Sequence, residues 1–318
     1  ARTAAKELTK QHGIVPTAGY AQTSSTVEAS LAEFGLELLK QSRGISAEKA
    51  IASEWDHVPF STLVSPLSVA MALSMTANGA EGETLTQFQE VLGGGTDLVT
   101  LNGACVQLMQ DYRVLGGSTR FNIANSLWVD PNGQIRDDFV GTCRGVFDAQ
   151  VFQGELSDAA IVNDLNGWVS EHTNRMIPKI IDQPFDESTA CLLVNALYLK
   201  NKWLREFDPL CTRQMDFRHA GGPDSRPDYL QHFDTNLSYL QGEGAQGVVL
   251  PYDDGRLAFF ALLPDVYPDC DYNFGEWLHN LDGEDLSRLI NSREDATFLR
   301  FAMPKFTAEW HGNLEEVL

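Results

Sequence analysis

Leu193-Val194-Asn195-Ala196-Leu197-Tyr198-Leu199-Lys200-Asn201-Lys202-Trp203 is the stretch that decides the architecture. With Cys191 and Leu192 in front of it, the run to Leu199 is apolar almost without interruption. A strand of that kind is buried on both faces, so it belongs inside a large sheet with layers above and below. Other strand signals surround it. In Phe121–Val129 the residues Asn122, Ala124 and Ser126 alternate with Phe121, Ile123 and Leu127, the period of two expected of a strand. Leu237–Leu240 and Gly247–Leu250 flank a glycine-rich turn. Arg256–Leu263 follows the turn Asp253-Asp254-Gly255, and Phe298–Met303 with Lys305–Glu309 read as extended.

Helices precede these strands and punctuate them. Leu31, Phe34, Leu38 and Leu39 share one helical face. Residues 41–60 read as a loop. Ser65-Pro66 opens the next helix, since Ser caps an N-terminus and Pro suits the first helical position. Glu83–Leu92 follows, with Gly93 as its C-cap, then an amphipathic Leu98–Tyr112 and a helix over Ile161–Met176. Asn273–Leu281 and Glu284–Ile290 return to helix near the end. Helices first, mixed elements next and strands later predict an α+β fold with a large sheet. Residues 1–25 read as a loose leader, and 26–318 as one domain, because no linker divides the chain. The short glycine runs at 93–95, 116–117 and 221–222 are turn punctuation.

The 318 residues are 43% hydrophobic and 21% charged, an ordinary globular composition, but the formal charge is −21. Eight Lys and 15 Arg, with no basic run, argue against nucleic acid and against anionic lipid. The most apolar stretch, Leu63–Ala80, is interrupted by Ser65, Pro66, Ser68, Ser74, Thr76 and Asn78, so no membrane span is expected. Five widely spaced cysteines without a CxxC pattern argue against a disulfide framework, and Cys191 reads as a buried free thiol.

Motifs for chemistry are scarce. There is no HExxH, P-loop or GxSxG, so neither a metal nor an enzyme is expected. His172, on a helix, has no second histidine one turn away and reads as a surface residue. Gly242-Glu243-Gly244-Ala245-Gln246-Gly247 matches GxGxxG, but a strand-like Val248-Val249-Leu250 follows where a dinucleotide site needs a helix. It reads as a hairpin turn, and no cofactor is expected. Asp253-Asp254-Gly255 is likewise turn chemistry.

Seven segments, in order, resemble one family. They are Val64-Ser65-Pro66-Leu67-Ser68-Val69-Ala70 with Asn78–Thr84; Ala124-Asn125-Ser126-Leu127-Trp128-Val129; Asn166–Thr173; the opening stretch Leu193–Trp203 with Phe207 and Thr212; Val249-Leu250-Pro251-Tyr252 with Leu262-Leu263-Pro264-Asp265; Met303-Pro304-Lys305-Phe306; and Leu314–Leu318. Together they are similar to the serpins from about Leu31 onward. There are departures. Ser61 stands where most serpins have Asn, Asn201 replaces a common glycine, and Arg226–His232 is atypical.

The resemblance implies helices packed around a large mixed main sheet with smaller sheets. It implies a serine-type endopeptidase inhibitor that traps its target as a suicide substrate, the cleaved reactive loop inserting into the main sheet. A non-inhibitory serpin acting as a binding, carrier or chaperone-like protein is the other outcome. It puts Ser65, Ser68 and Asn195 at the shutter under the sheet centre, and Trp203, Thr212 and Lys305 at the breach where the loop first enters. It puts the reactive site beyond Leu318, so the domain is expected to be incomplete at its C-terminus, as a shortened chain or one completed by a second. The partner implied is a serine or cysteine protease met by a monomer, outside the cell or on its surface by family habit, with the cytoplasm as the alternative. The helix at Leu98–Tyr112 lacks the basic residues of heparin-activated members, so no heparin activation is expected.

Overall fold

The computed structural model describes residues 5–7, 25–52, 61–219, 223–233, 237–265, 274–296 and 299–315. Cys270, Gly221–Gly222 and most of the N-terminal segment lie outside them. The chain divides into two compact units, Ala1–Phe34 with Ser65–Leu115 and Thr119–Lys200, and Gly35–Val64 with Gly116–Ser118 and Asn201–Leu318. Helix α1 (Ser25–Ala52) contributes to both. It runs well into the stretch expected to be a loop. Ala47-Glu48-Lys49-Ala50 is strongly helix-forming, and Gly44 costs a helix only about 1 kcal/mol against Ala, too little to stop it.

In the first unit, the sheet order is β1 (Ala5–Glu7), β3 (Gln150–Gly154), β2 (Arg120–Val129), β4 (Cys191–Lys200). β2 runs parallel to β3 and antiparallel to β4, so the sheet is mixed. Strands β2 and β4 lie where the sequence predicts them. β1 falls within the segment read as a loose leader. It pairs antiparallel with β3, and the Ala5 amide donates to Asp164 Oδ2 at 2.9 Å.

Helices cover both faces of this sheet, as a doubly apolar strand requires. Against one face pack α2 (Pro66–Ala77), α4 (Leu98–Arg113) and α5 (Asp137–Phe147), through Met71, Met75, Met109 and Phe147 onto Leu127, Val129 and Val151. Against the other packs α6 (Ala160–His172), through Ile161, Leu165 and Trp168 onto Trp128 and Ala196. α5 and β3 are additions to the sequence reading, although Phe139, Val140, Cys143, Val146 and Phe147 follow a helical stripe.

Local chemistry sets the helix ends. Ser65 caps α2, with Pro66 in its first turn, and Asp97 caps α4 by accepting from the Thr100 amide at 2.8 Å. That bond holds the Asp97 carboxyl below its usual range. α3 (Gly82–Gly93) ends one residue later than expected, with Gly94 at φ 60° as the left-handed cap. α6 stops at His172, four residues short of the predicted Met176. Asn174 and Arg175 both adopt positive φ there, and the Arg175 amide bonds back to the Ser170 carbonyl at 2.7 Å.

The second unit holds an antiparallel sheet β10 (Glu294–Ala296), β7 (Leu237–Gly242), β8 (Ala245–Pro251), β9 (Ala258–Pro264), and a smaller one, β11 (Phe301–Pro304), β6 (Asp228–His232), β5 (Arg213–Gln214). One face of β7 and β8 packs Leu240, Ala245 and Val249 on Leu289 of α8 (Gly283–Asn291), which follows α7 (Phe274–Asn280). The other face packs Leu237, Val248 and Leu250 on Trp203, Phe207 and Phe301.

The GxGxxG hexapeptide is a β-hairpin. Gly242 pairs with Ala245, and Glu243 and Gly244 between them sit at φ 49° and 67°, a two-residue turn with both central residues left-handed. Asp253-Asp254-Gly255 is a turn as well. The Asp253 carboxylate accepts the Ser118 amide, and Asp254 accepts the amides of Arg256 and Leu257.

Candidate functional site

β4 is the terminal strand of its sheet among the described residues and pairs with β2 alone. Its alternating side chains serve two layers. Leu192, Val194 and Ala196 join the cluster under α6, and Cys191 and Leu193 join the cluster on α2, α4 and α5. All ten of its residues except Ala196 remain at least partly accessible, although eight of them are apolar or aromatic. Beside it the segment after α6 leaves Met176 at 73% and Ile180 at 44% exposure. That segment is pinned by Asn166, whose Oδ1 accepts the amides of Ile180 and Ile181. The result is an apolar, half-covered strand at the end of this sheet among the described residues.

Asn195 sits at the centre of β4, opposite Asn125 in register. Its Nδ2 donates to Asn125 Oδ1 at 2.8 Å, and Asn125 Nδ2 donates to the Phe147 carbonyl at 2.8 Å. Asn195 Oδ1 is buried and accepts no hydrogen bond among the described residues. An acceptor left so is unfavourable until a donor arrives.

Ser65 and Ser68 stand at the start of α2, the helix that packs on β4. Ser65 Oγ donates to Ser68 Oγ at 2.9 Å, and the Ser68 amide donates back to Ser65 Oγ at 3.4 Å. The two serines therefore satisfy each other, and no hydrogen bond joins them to Asn195. Ser61, four residues upstream, is exposed. The three expected shutter residues thus lie in one packed region as two separate hydrogen-bonded groups.

Trp203, Thr212 and Lys305 all belong to the second unit. The Trp203 indole stacks on Tyr252 at a 4.9 Å centroid distance and meets Phe259 and Phe207 edge-on. Thr212 immediately precedes β5, and the Lys305 amide bonds to the Asp228 carbonyl at 2.8 Å. Arg213 and Pro304 both pair with Tyr229, so Thr212 and Lys305 flank the two outer strands of the small sheet. Asn201, where a glycine is common, has a local role. Its amide bonds Asp254, and its Oδ1 accepts the Lys202 amide at 2.8 Å.

His172 stacks on Trp168 at 4.3 Å with Nδ1 against the Trp168 carbonyl, half-buried rather than at the surface. Cys105 and Cys143 are buried free thiols pushed up by burial to about 11 and about 12. Cys191 is free and only half-buried, because it begins the half-covered strand.

His232, on β6, is a site residue that the sequence did not reveal. It stacks on Phe207 at 4.2 Å, and its Nε2 is buried without a hydrogen-bond partner among the described residues. Burial, then the charge of Arg205, pull its pKa down, against a hydrogen bond to the Arg205 backbone. The folded state therefore binds this proton less readily than the unfolded chain. Stability from this group is complete above the unfolded value of about 6.5 and is lost as pH falls below it. His232→Phe keeps the stacking and removes the proton. It should flatten the pH dependence of unfolding between about pH 7.5 and pH 5.5 by up to one proton's slope, measured by guanidinium titration. An unchanged slope would rule the assignment out.

A family profile described as Serpin (serine protease inhibitor) matches residues 31–318. Serpin-Z7 of Hordeum vulgare is 28% identical over 246 residues, which cover 73% of this chain and 62% of that protein. The chain thus spans less than two thirds of the length of this relative. Among solved structures, the thermophilic serpin tengpin matches in its latent state with a TM-score of 0.80 at 28% identity, covering 94% of this chain and 76% of tengpin. Its native state matches with the same TM-score at 27% identity, covering 94% of this chain and 72% of tengpin.

Proposed function

Because the chain belongs to the serpin family, we propose that the whole protein inhibits a serine-type endopeptidase by suicide-substrate trapping. The observation that carries this reading is β4. Its residues are apolar on both faces and it is packed by helices above and below, as suits a strand of the main sheet in this family.

In this reading the protease's serine attacks the scissile carbonyl of the reactive loop, which the resemblance places beyond Leu318. The peptide nitrogen leaves with a proton, and an acyl-enzyme ester remains. The loop, freed at one end, adds as a strand beside β4. Each new backbone hydrogen bond contributes about 0.5–1.5 kcal/mol, and burial of the exposed apolar edge adds to that. We assign Ser65, Ser68 and Asn195 to the shutter, where short polar side chains leave room for strands to part. Trp203, Thr212 and Lys305 are assigned to the breach.

α4 bears on activation. Its charges are Asp111 and Arg113, and Arg113 is paired with Asp148 at 2.7 Å. We therefore assign no heparin activation to this protein.

The test is incubation of the whole protein with trypsin-, chymotrypsin- and elastase-like proteases. A complex that survives denaturing electrophoresis, formed at a rate that heparin leaves unchanged, is expected. Cleavage by all three without a stable complex would identify a non-inhibitory serpin acting as a binding or carrier protein.

A further inference from the structure

Strand β2 is flanked unequally. β4 pairs with all ten of its residues, whereas β3 pairs with the last four, Ser126–Val129. Asp148 at φ 50° and the Ala149 amide, bonded back to the Cys143 carbonyl, turn the chain sharply out of α5, so β3 starts only beside Ser126. The stretch Arg120–Asn125 therefore keeps an open edge among the described residues. In an antiparallel pair, alternate residues direct their N–H and C=O groups away from the partner strand. Along this stretch those groups meet no strand, and Phe121, Asn122, Ile123 and Ala124 are all partly accessible. A cavity of about 330 Å³ runs beside them, with Phe121–Asn125 in its wall. Every residue that lines it belongs to the first unit.

The two faces of this edge differ in chemistry. Phe121 stacks on Tyr112 of α4 at 4.4 Å, and Asn125 lies against Met109 Sδ, so the odd-numbered residues look toward α4. The one cation lining the cavity on that side, Arg113, is paired with Asp148 at 2.7 Å. Asn122 donates to the His172 carbonyl and Ala124 packs in the cluster under α6, so the even-numbered residues look toward α6. His172 lines the cavity there. Its Nδ1 donates to the Trp168 carbonyl, which leaves Nε2 as the acceptor of the neutral ring. Glu7 also lines the cavity and shares a face of β1 with Ala5, which packs in the α6 cluster. The Glu7 carboxylate accepts a long 3.4 Å bond from Gln150 Nε2 and makes no ion pair among the described residues.

We propose that the open edge of β2 binds an extended peptide of a partner protein as an added strand, its apolar side chains against Met109 and Tyr112 and its intervening basic side chains beside Glu7. Main-chain hydrogen bonds to Phe121–Asn125 supply the affinity, and the period of two gives each kind of side chain its own face. A compact apolar molecule would leave the strand's backbone groups unpaired. An acidic peptide would meet Glu7 on a chain of formal charge −21. The site lies on the opposite side of β2 from β4, so it is separate from the edge assigned to the reactive loop and does not depend on protease inhibition.

The experiment titrates the whole protein with the blocked pentapeptide Val-Lys-Val-Lys-Val, with the same peptide methylated at alternate backbone nitrogens, and with Val-Glu-Val-Glu-Val. Binding is read by calorimetry, and its place by amide hydrogen exchange. The basic peptide is expected to bind at least about tenfold more tightly than the methylated one, which lacks the donors. It should slow exchange at alternate amides of Phe121–Asn125 by at least about tenfold while leaving β4 unchanged. Glu7→Gln should weaken the basic peptide by about threefold, as expected of one exposed ion pair, and leave the unfolding midpoint unchanged. Equal affinity for the methylated peptide, equal affinity for the acidic peptide, or affinity unchanged in Glu7→Gln would each overturn the assignment. So would protection that appears on β4 instead, or a whole protein that binds none of the three because its own chain occupies the edge.

Discussion

Replacing Trp128 with Ala should destabilise the protein by about 4 kcal/mol, the range for deleting a fully buried aromatic side chain. Trp128 is 2% exposed, stacks on Phe152 at 4.2 Å, and lies beneath Leu165 and Trp168 of α6. Its indole N–H donates to Ser126 Oγ at 2.9 Å, and Ser126 is fully buried. Truncation therefore opens a cavity and strands a hydroxyl, and the two costs act together. Trp128→Phe keeps most of the buried area and the stacking, so it should lose less than half as much. Guanidinium unfolding of both variants measures the difference. A loss below about 1 kcal/mol for Trp128→Ala would mean that α6 does not rest on this face of the sheet.

Gly247→Val should be comparably severe, at about 3 kcal/mol or more, through overpacking against backbone. Gly247 sits in β8, paired with Leu240 on one side and Leu262 on the other. A Cβ there would lie 2.6 Å from the Ala261 carbonyl oxygen and 2.7 Å from Leu262 Cδ2. The oxygen belongs to the neighbouring strand, so relief requires β8 and β9 to separate. Gly167→Ala is the contrasting case. That position lies within α6 with open space around it, and the change should stabilise by about 0.5–1 kcal/mol. Opposite signs from two glycine replacements, read by thermal and chemical unfolding, test the packing in each unit separately. Equal, small effects would show that β8 and β9 are not in contact at this register.

Much of the fold was legible because it rests on local patterns. The near-continuous run ending at Leu199 became β4, the alternation from Phe121 became β2, and Ser65-Pro66 started α2. Glu243-Gly244 between two apolar runs became a hairpin turn, which separated the GxGxxG match from a nucleotide site. Where the reading differed, a competing local force explains it. Gly44 was too weak a breaker to stop α1, and two left-handed residues ended α6 before Met176. The serpin motifs at Val64–Ala70, Ala124–Val129, Asn166–Thr173 and Leu193–Lys200 fell on α2, β2, α6 and β4 because each is a short segment read in place, and Leu314–Leu318 lies mostly outside the described residues.

The sequence by itself determined the type of most elements and, through its short motifs, the family. Each follows from spacing within a few residues, which the chain carries wherever it goes. Only the tertiary structure decided which distant groups meet. Asn195 faces Asn125 across 70 residues, with one buried oxygen left over. The Ala5 amide reaches Asp164, 159 residues on, and draws the edge strand β1 onto the sheet. Arg205, His232 and Arg293 come from three separate segments to line one cavity. Such pairings depend on strand register and on how packed layers close over one another, and no local pattern of residue types encodes them.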